Sequence, residues 1–441
     1  MTDPKRYFVR SYGCQMNVYD AERMEELLGD AGMTRAATQD DADVVVLNTC
    51  HIREKAAEKV YSEIGRIKKA AAERGWKPVV AVAGCVAQAE GEEIARRAPD
   101  VGVIVGPQAY HRLPQMVERA ASGQRSVDTD LPTLEKFKAL GQRRRAAPSS
   151  FLTIQEGCDK FCTYCVVPYT RGAEVSRDAD TVLEEAHRLA EAGARELVLL
   201  GQNVNAYRDA RGTGFADLIR RVADVPGISR IRYTTSHPAD MTDELISAHG
   251  EIEALMPYLH LPVQSGSDRV LKAMNRSHSA ESYVETIEAL RRVRPDMAIS
   301  GDFIVGFPGE TDAEFEATLE IVRRTGYAQA YSFKYSPRPG TPAATMGDQI
   351  AEEVKTERLA RLQALLNEQQ LAFNEGTRGV TCDVLAERNG RRPGQLLGKS
   401  PWLQSVHFSA DGASVGDIVE VRIDTAGPNS LSGLRTDRKA A

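Results

Sequence analysis

The chain has 441 residues, a net charge of −6 and 42% hydrophobic residues, values typical of a globular protein with two or three domains. It contains neither an apolar stretch of about 18 residues nor an N-terminal signal pattern, so we expect neither a membrane span nor secretion. The acidic charge excludes nucleic-acid binding through overall charge and leaves only local basic patches for such contacts.

Three cysteines near the N-terminus share one local pattern. Apolar runs before Cys14, Cys50 and Cys85 predict buried strands, and amphipathic stretches after them predict helices. Alternating strands and helices indicate a parallel sheet, in which the carboxyl ends of the strands form one edge. We therefore expect the three thiols at that edge, near helix N-termini whose dipoles favour the thiolate that metals bind. The alternative is that they are small buried core residues.

A segment rich in turn-forming residues, 122–150, separates this α/β unit from a second series of strands and helices. It ends in Arg143, Arg144 and Arg145, which we interpret as part of a solvated linker, with phosphate binding as the alternative. Six strand candidates then alternate with helices: "FLTIQ", "ELVLLGQ", "RIRYTT", "YLHLPV", "AISGDFIVGF" and "QAYSFKYS". This order predicts a parallel β/α barrel or part of one, with its chemistry at the carboxyl ends of the strands.

The C-terminal part of the chain changes character at about Glu375. Short strands separated by turns predict a small antiparallel barrel, roughly of the oligonucleotide-binding type. The stretch "GQLLGKS" is not a phosphate loop, because three residues rather than four separate Gly394 from Gly398. Cys382 lies on an alternating strand of this barrel and is predicted to be a core residue.

A second group of cysteines follows the first predicted barrel strand. Cys158, Cys162 and Cys165 have CxxxCxxC spacing within "EGCDKFCTYCVVPYTRG", which is compact enough for one loop to ligate three irons of an iron–sulfur cube. A cube normally takes four cysteines, so three would leave one iron open for chemistry. Seven cysteines in all, an odd number, also favour metal binding or catalysis over disulfides. A structural zinc site and inert buried thiols are the alternatives.

The CxxxCxxC spacing with an aromatic residue, Tyr164, before the last cysteine resembles the radical S-adenosylmethionine enzymes. In order along the chain, further motifs resemble the methylthiotransferases of that superfamily: "YGCQMN", "NTCHIREKA", "AGCVAQ", "LLGQNVNAY", "SHP", "HLPVQSGSD" and "DFIVGFPGE". The resemblance covers nearly the whole chain. It implies an α/β fold of three domains: a methylthiotransferase domain over 4–121, a radical S-adenosylmethionine core with a partial (β/α)6 barrel over 144–374, and a TRAM RNA-binding barrel over 376–439.

The resemblance also implies cofactors and a reaction. Cys158, Cys162 and Cys165 would hold a [4Fe–4S] cluster that binds and cleaves S-adenosylmethionine. Cys14, Cys50 and Cys85 would hold an auxiliary [4Fe–4S] cluster that carries the sulfur. The implied activity is methylthiolation of C2 of N6-(dimethylallyl)adenosine at position 37 of tRNA, in the cytoplasm, by a monomer. It requires an electron donor such as flavodoxin or ferredoxin, and a sulfur source.

Together with Tyr164, the candidates for holding the cofactor are polar residues after barrel strands two to four (Gln202, Asn203, Ser236, Gln264 and Ser265) and Asp302 within strand five. Family members often carry GxIxGxxE on strand five, whereas here Glu310 comes one residue late, so its role is not carried over. His237 and His260 are expected to make structural hydrogen bonds. The candidates for contacts with tRNA are Arg171, Arg177, Arg391 and Arg392; a surface salt bridge is the alternative for the first two.

Other functions stay open at this point. Within the family, the substrate could instead be threonylcarbamoyl-adenosine of tRNA or an aspartate of a ribosomal protein. From another class, the chain could be a non-catalytic RNA-binding protein that contains a metal. Two cysteine triplets, each without a fourth ligand, favour the enzyme. The C-terminal barrel is locally basic, which would place the RNA contact there.

Overall fold

The computed structural model describes residues 5–51, 56–131, 136–137, 139–141, 143 and 145–436. The chain forms two compact units. Unit 1 comprises Met1–Gln142, Glu156–Phe161 and Cys165–Val175, and unit 2 comprises Arg143–Gln155, Cys162–Tyr164 and Ser176–Ala441. These two units do not test the predicted division into three domains, which stays a prediction.

Unit 1 is built on a six-stranded parallel sheet. Its elements are β1 (Arg6–Tyr12), α1 (Gln15–Asp30), β2 (Thr34–Arg35), β3 (Val44–Thr49), α2 (Ala56–Arg74), β4 (Val79–Gly84), α3 (Cys85–Arg97), β5 (Val103–Val105), α4 (Leu113–Ala121) and β6 (Ser126–Asp128). The strand order is β2-β1-β3-β4-β5-β6, and every neighbouring pair is parallel. The predicted N-terminal parallel sheet is therefore confirmed.

Both faces of this sheet are covered by helices. On one face Val44 and Val46 pack with Met24 and Leu28 of α1. On the other face the alternate residues of β3 pack with α2 and α3. Because β3 is buried on both sides, it is a continuous apolar run from Val44 to Leu47 rather than an alternating one.

The sheet continues beyond the predicted end of the first unit at residue 121. β6 lies in the segment interpreted as a linker, yet it pairs with β5. Farther along the same segment, Lys136 is fully buried, and Arg143 is buried with its guanidinium donating to the Phe151 carbonyl. Arg145 is exposed, and Arg144 lies outside the described residues. The solvated-linker interpretation was therefore wrong for Arg143, and the burial of Lys136 shows that this segment also packs against the fold.

The remaining elements begin with β7 (Ser149–Thr153), β8 (Gln155–Glu156), α5 (Val167–Arg171) and β9 (Val175–Ser176). They continue with α6 (Ala179–Glu191), β10 (Glu196–Leu200), α7 (Phe215–Ala223), β11 (Arg230–Tyr233), α8 (Asp243–Glu251), β12 (Tyr258–His260), α9 (Asp268–Ala273), α10 (Ala280–Val293), β13 (Ala298–Val305), α11 (Asp312–Thr325), β14 (Gln329–Lys334) and α12 (Glu352–Gly376). The chain ends with β15 (Thr381–Asn389), β16 (Gln395–Lys399), β17 (Ser405–Ser409), β18 (Ile418–Ala426) and β19 (Leu431–Arg435).

Six of these strands form the partial barrel of unit 2. They make two three-stranded parallel sheets, β11-β10-β7 and β12-β13-β14. A parallel bridge between Ile231 and Leu255 joins the first sheet to the segment before β12. Apolar residues of the strands and of the surrounding helices share one core, to which Leu197, Phe303 and Phe315 belong. The predicted partial β/α barrel is confirmed.

The C-terminal strands form a closed barrel in the order β15-β16-β17-β19-β18. Its core contains Val384, Phe408 and, as predicted, Cys382. Two buried arginines at the start of β11 fasten this barrel to the rest of unit 2. Arg230 donates to the carbonyls of Lys399 and Asp383, and Arg232 donates to those of Ser400 and Pro401.

Candidate functional site

The three N-terminal cysteines follow three neighbouring strands at matched positions. Tyr12 at the end of β1 is in register with Thr49 of β3, and Thr49 is in register with Gly84 of β4. Cys14 is the N-cap of α1, Cys50 follows β3 directly and Cys85 is the first residue of α3. The structure thus places all three thiols at the carboxyl edge of one sheet.

Glycines beside these cysteines allow the backbone turns to approach one another closely. A Cβ on Gly13, at φ 143°, would lie 2.3 Å from the Cβ of Cys50. A Cβ on Gly84, at φ 87°, would lie 2.4 Å from Oδ1 of Asn48. Any side chain at either position would therefore force the edge apart.

The surroundings of Cys14 favour its thiolate. A side-chain hydrogen bond with Cys50 lowers the pKa of Cys14 to about 6, and the positive charge of Arg171 acts in the same direction. A backbone hydrogen bond of Asn17 also lowers the pKa of Cys14, whereas burial raises it. Complete burial raises the pKa of Cys85, although the charge of Arg171 and its hydrogen bond to Cys85 oppose that effect. Since metals bind thiolates, the lowered pKa prepares Cys14 for ligation better than Cys85.

Unit 1 contains a buried set of charges, of which Arg171 and Asp20 act on Cys14 and Cys85. Arg171 at the end of α5 donates to Asp20 at 2.6 Å. Lys136 pairs with Glu156 at 2.5 Å, and Gln108 donates to the same carboxylate at 2.7 Å. Buried ions of opposite sign offset each other's desolvation, so the set holds a fixed cation against Cys14 and Cys85.

The CxxxCxxC loop divides between the two units. Its unit 1 part begins at Gly157, where a Cβ would lie 1.9 Å from the Ala173 carbonyl oxygen. The Cys158 amide donates to the Gly172 carbonyl at 3.2 Å, and the Val167 amide lies 3.4 Å from Sγ of Cys165. An amide directed at a thiolate sulfur stabilises its negative charge.

The unit 2 part of the loop comprises Cys162, Thr163 and Tyr164. Thr163 is held by its amide donating to the Met274 carbonyl and its hydroxyl donating to the Ala273 carbonyl. Arg276 places Nη1 3.8 Å from Sγ of Cys162. Tyr164 packs against a small core around Phe307. No sequence pattern singles out Arg276, because it lies 114 residues from the cysteine that it contacts.

Two predicted cofactor residues at the ends of β10 and β11 have buried polar atoms without a hydrogen-bond partner in the described part of the chain. These atoms are Oδ1 of Asn203 and the hydroxyl of Ser236. The neighbouring backbone is fixed, since Gln155 accepts hydrogen bonds from the amides of Gln202 and Asn203. Buried polar groups usually have partners, so this edge fits a polar ligand.

The other candidate cofactor residues, Gln264, Asp302 and Ser265, differ in their burial and hydrogen bonds. Gln264 has φ 74°, and its backbone bonds on both sides to β13. Asp302 is half-buried on β13, 3.5 Å from Nε2 of His260, and His260 also bonds to Ser300, as expected of a structural histidine. Ser265 is fully buried, with its hydroxyl bonded to Thr318 and accepting from the Ser267 amide. These two bonds fix the Ser265 hydroxyl, and its contact with the cofactor stays a prediction.

Two of the predicted RNA contacts need correction as well. Arg171 is only 2% exposed and is paired with Asp20. Arg177 is buried and donates to Glu185 at 2.7 Å. Because neither guanidinium reaches solvent, neither can meet a phosphate. Arg391 and Arg392 are exposed in the turn between β15 and β16, so their role stays a prediction.

Glu310 occupies a defined position although its motif departs from the family pattern. It is buried, and its carboxylate accepts hydrogen bonds from the Gly306 amide and from Arg358, both at 2.7 Å. Burial raises the pKa of Glu310, which those two bonds counteract. This carboxylate therefore holds the turn after β13. His237 also bonds locally, through Nδ1 to the Ala239 amide.

Within the described residues, no three His, Cys, Asp or Glu side chains are arranged to hold one metal ion. That arrangement is not required of a [4Fe–4S] cluster, in which each cysteine binds a different iron. In the same part of the chain, no helix is both long and apolar enough to cross a membrane.

Comparisons with known proteins agree with this geometry. Residues 6–106 match the family model described as "Uncharacterized protein family UPF0004", and residues 152–322 match the radical SAM superfamily. The chain is 65% identical over 442 residues to the tRNA-2-methylthio-N(6)-dimethylallyladenosine synthase of Erythrobacter litoralis, covering 99% of each chain. It is also 65% identical to the protein of that name from Novosphingobium aromaticivorans, covering 98% of this chain and 97% of the relative.

Solved structures share the fold at much lower identity. The radical S-adenosylmethionine methyltransferase TsrM from Kitasatospora setae aligns with a TM-score of 0.57 at 13% identity, covering 77% of this chain and 75% of that one. The cobalamin-dependent S-adenosylmethionine radical enzyme OxsB aligns with a TM-score of 0.53 at 12% identity, covering 83% and 56%. These likenesses concern the fold alone.

Proposed function

Since this chain belongs to the family of tRNA-2-methylthio-N(6)-dimethylallyladenosine synthases, we propose that it catalyses the reaction for which that family is named. It is a radical S-adenosylmethionine transferase that methylthiolates C2 of N6-(dimethylallyl)adenosine at position 37 of tRNA. The observation that carries this proposal is the set of three cysteines after neighbouring strands of unit 1. A second cysteine triplet on the chain supplies the radical chemistry.

The N-terminal thiols fit an auxiliary [4Fe–4S] cluster held by Cys14, Cys50 and Cys85. Three features support this assignment: the shared edge, the glycines that let the turns approach, and the lowered pKa of Cys14. With three protein ligands, one iron is left open for the sulfur that is transferred. Arg171 contributes a buried positive charge that balances the charge of the thiolates.

The second cluster is assigned to Cys158, Cys162 and Cys165. When bound, this cluster would hold S-adenosylmethionine and supply the electron for its reductive cleavage, the chemistry that starts removal of hydrogen from the substrate. The chain itself stabilises two of the thiolates, through the Val167 amide at Cys165 and the Arg276 guanidinium at Cys162.

The cofactor would lie at the carboxyl ends of the barrel strands. Asn203 and Ser236 offer buried polar atoms that need partners. Gln202 and Gln264 follow β10 and β12, and Asp302 lies within β13. Tyr164 fixes the loop before the last cysteine by packing into the core of unit 2. Buried donors and acceptors that are already in place bind a polar ligand without reorganising.

The tRNA substrate needs a basic surface on an acidic protein. Arg391 and Arg392 provide adjacent exposed charges on the C-terminal barrel, and barrels of this kind bind RNA through loops and a sheet face. The proposed partners are a low-potential electron donor such as flavodoxin or ferredoxin and a sulfur source that restores the auxiliary cluster. The enzyme is proposed to act as a cytoplasmic monomer.

Anaerobic reconstitution followed by mass spectrometry of nucleosides tests this function. The reconstituted protein should contain about eight irons, two cubes of four, and should convert tRNA bearing N6-(dimethylallyl)adenosine to the 2-methylthio derivative. Parallel reactions should contain tRNA bearing threonylcarbamoyl-adenosine and a small-subunit ribosomal protein. Methylthio product only in one of those parallel reactions would overturn the substrate, and one or two zincs in place of iron would overturn the enzyme class.

A further inference from the structure

Strand β14 exposes two large aromatic rings. Tyr331 and Phe333 are each 45% exposed, and they lie two residues apart, so both project from the same face of the strand. Lys334, on the opposite face, pairs with Glu352 and bonds to Thr356 of α12. The two rings therefore face away from that helix.

The register of β14 identifies this face as the inner face of the barrel. Tyr331 is opposite Asp302 of β13, and Phe333 is opposite Ile304. The alternate residues of β13, including Phe303 and Val305, belong to the core shared with the outer helices. Because side chains alternate along a strand, Asp302 and Ile304 point inward, and the two rings lie beside them.

Polar and apolar groups are separated along this inner face. Near Tyr331 are His260, whose ring centroid is 6.3 Å away, and Gln329, whose amide nitrogen lies 3.1 Å from the Tyr331 hydroxyl. Near Phe333 is the partly buried Ile304. The face thus has two rings on which a base can stack. Its hydrogen-bonding groups lie toward the amino end of β14, and its apolar surface lies toward the carboxyl end.

We infer that this aromatic face, Tyr331 and Phe333 with Ile304, receives the dimethylallyl-adenine base of the tRNA substrate; the inference rests on the proposed function. Enzymes that act on a nucleic-acid base flip it out of the base stack and bind it by stacking on aromatic side chains. The purine stacks on the rings, and the dimethylallyl group is removed from water against Phe333 and Ile304. A single face therefore provides both stacking for the purine and an apolar surface for the dimethylallyl group.

Kinetics of leucine variants test the assignment, because leucine keeps apolar bulk and removes the ring. For Tyr331→Leu and Phe333→Leu we expect the KM for dimethylallyl-adenosine tRNA to rise about 5- to 150-fold, which corresponds to about 1–3 kcal/mol of base stacking per ring. The KM for S-adenosylmethionine, measured from 5′-deoxyadenosine formation, should stay within about twofold. Tyr331→Phe should restore the KM for tRNA, since it restores the ring.

Leu371 on α12, 42% exposed, supplies the matched control, and Leu371→Ala should leave both KM values unchanged. Thermal melting of each variant should match wild type, because the replaced side chains are half exposed. A parallel rise in the KM for S-adenosylmethionine would mean that the face binds the cofactor's adenine, and unchanged KM values would mean that it binds neither; each result overturns the inference. Product formation by the wild-type enzyme in the same assay tests the proposed function separately.

Discussion

Arg171 and Asp20 form a hydrogen-bonded ion pair at 2.6 Å, although 151 residues separate them along the chain. Both side chains are almost fully buried. Arg171 ends the short helix that follows Cys165, whereas Asp20 lies in the helix that Cys14 caps. The pair therefore links the segment after one cysteine triplet to an element of the other, within a single compact unit.

Removing one partner of this pair should destabilise unit 1. For Arg171→Ala we expect the free energy of unfolding to fall by about 3–5 kcal/mol, because Asp20 and Glu156 keep their buried charges without the cation. Urea unfolding of the apoprotein under reducing conditions measures the change.

The exposed ion pair of Arg324 with Glu281 provides the control for that experiment. Arg324→Ala should cost less than about 1 kcal/mol, since solvent already screens that pair. The double variant Asp20→Asn with Arg171→Met should recover part of the stability, because it leaves fewer unpaired charges. Equal effects of Arg171→Ala and Arg324→Ala would contradict the account of a buried pair.

Variants of the two cysteine triplets should lose different activities. Replacing Cys158, Cys162 or Cys165 by Ala should abolish formation of 5′-deoxyadenosine, because the cofactor loses the cluster that binds it. Replacing Cys14, Cys50 or Cys85 by Ala should leave that cleavage measurable while no methylthio product appears. Chromatography of both products from one anaerobic reaction measures the two activities.

Cys382 is the control for the cysteine variants, since it lies in the core of the C-terminal barrel. Cys382→Ala should keep the full iron content and both activities, apart from a small loss of stability from the lost volume. If the N-terminal variants lost cleavage as completely as the variants of the second triplet, the proposed division of labour would be untenable.

Much of the fold could be predicted because the signals are local. The apolar run from Val44 to Leu47 and the helical period after it define a β–α step without any distant partner. The six cysteines could be singled out by spacing and by their places after strands. Strand β14 could also be predicted from its pattern, but not that Tyr331 and Phe333 would remain exposed, because that depends on the neighbouring strands.

The parts that could not be predicted depend on contacts between distant segments. Arg171 looked like a phosphate contact because its partner, Asp20, lies far away in sequence. Lys136 lies in a polar segment with turn-forming residues, and only the carboxylate of Glu156 explains its burial. Strand β6 is three residues long and is stabilised by pairing with the edge of a sheet that its own sequence does not indicate.

Acid should destabilise the partial barrel through His249. Burial, with a smaller contribution from Arg294, lowers the pKa of His249 to about 3, and the ring bonds to the Tyr233 hydroxyl at 2.7 Å. The unfolded chain takes up a proton near pH 6.5 and the folded chain does not, so stability is complete above that pH and falls below it. Between pH 7 and pH 5 this histidine should account for a loss of about 2 kcal/mol.

Urea midpoints at pH 7 and pH 5 measure that loss, and His249→Gln should reduce it while retaining a hydrogen-bonding group for Tyr233. The exposed His187 is the control, and His187→Gln should leave the pH dependence unchanged. An unaltered difference between the two pH values in His249→Gln would show that other groups cause the acid sensitivity.

The affinity for tRNA should depend on Arg391 and Arg392. Each phosphate neutralised by the protein steepens the salt dependence of binding by about 0.7 to 0.9 in the logarithmic slope. Reversing both arginines to Glu should therefore weaken binding and flatten the slope by about 1.4 to 1.8 if each meets one phosphate. Iron content and cofactor cleavage should be unchanged, since both residues lie in an exposed turn of the C-terminal barrel. Binding measured at several salt concentrations gives the slope.

A control must separate the effect of net charge on tRNA binding from the effect of the local contact by Arg391 and Arg392. Arg323 and Arg324 are adjacent, exposed arginines on α11, and reversing them changes the net charge by the same four units, from −6 to −10. This control should weaken binding only slightly and leave the slope nearly intact, because exposed charges more than about 10 Å from the RNA are screened at ordinary ionic strength. Equal flattening by both double variants would mean that overall repulsion, not the turn between β15 and β16, governs tRNA binding.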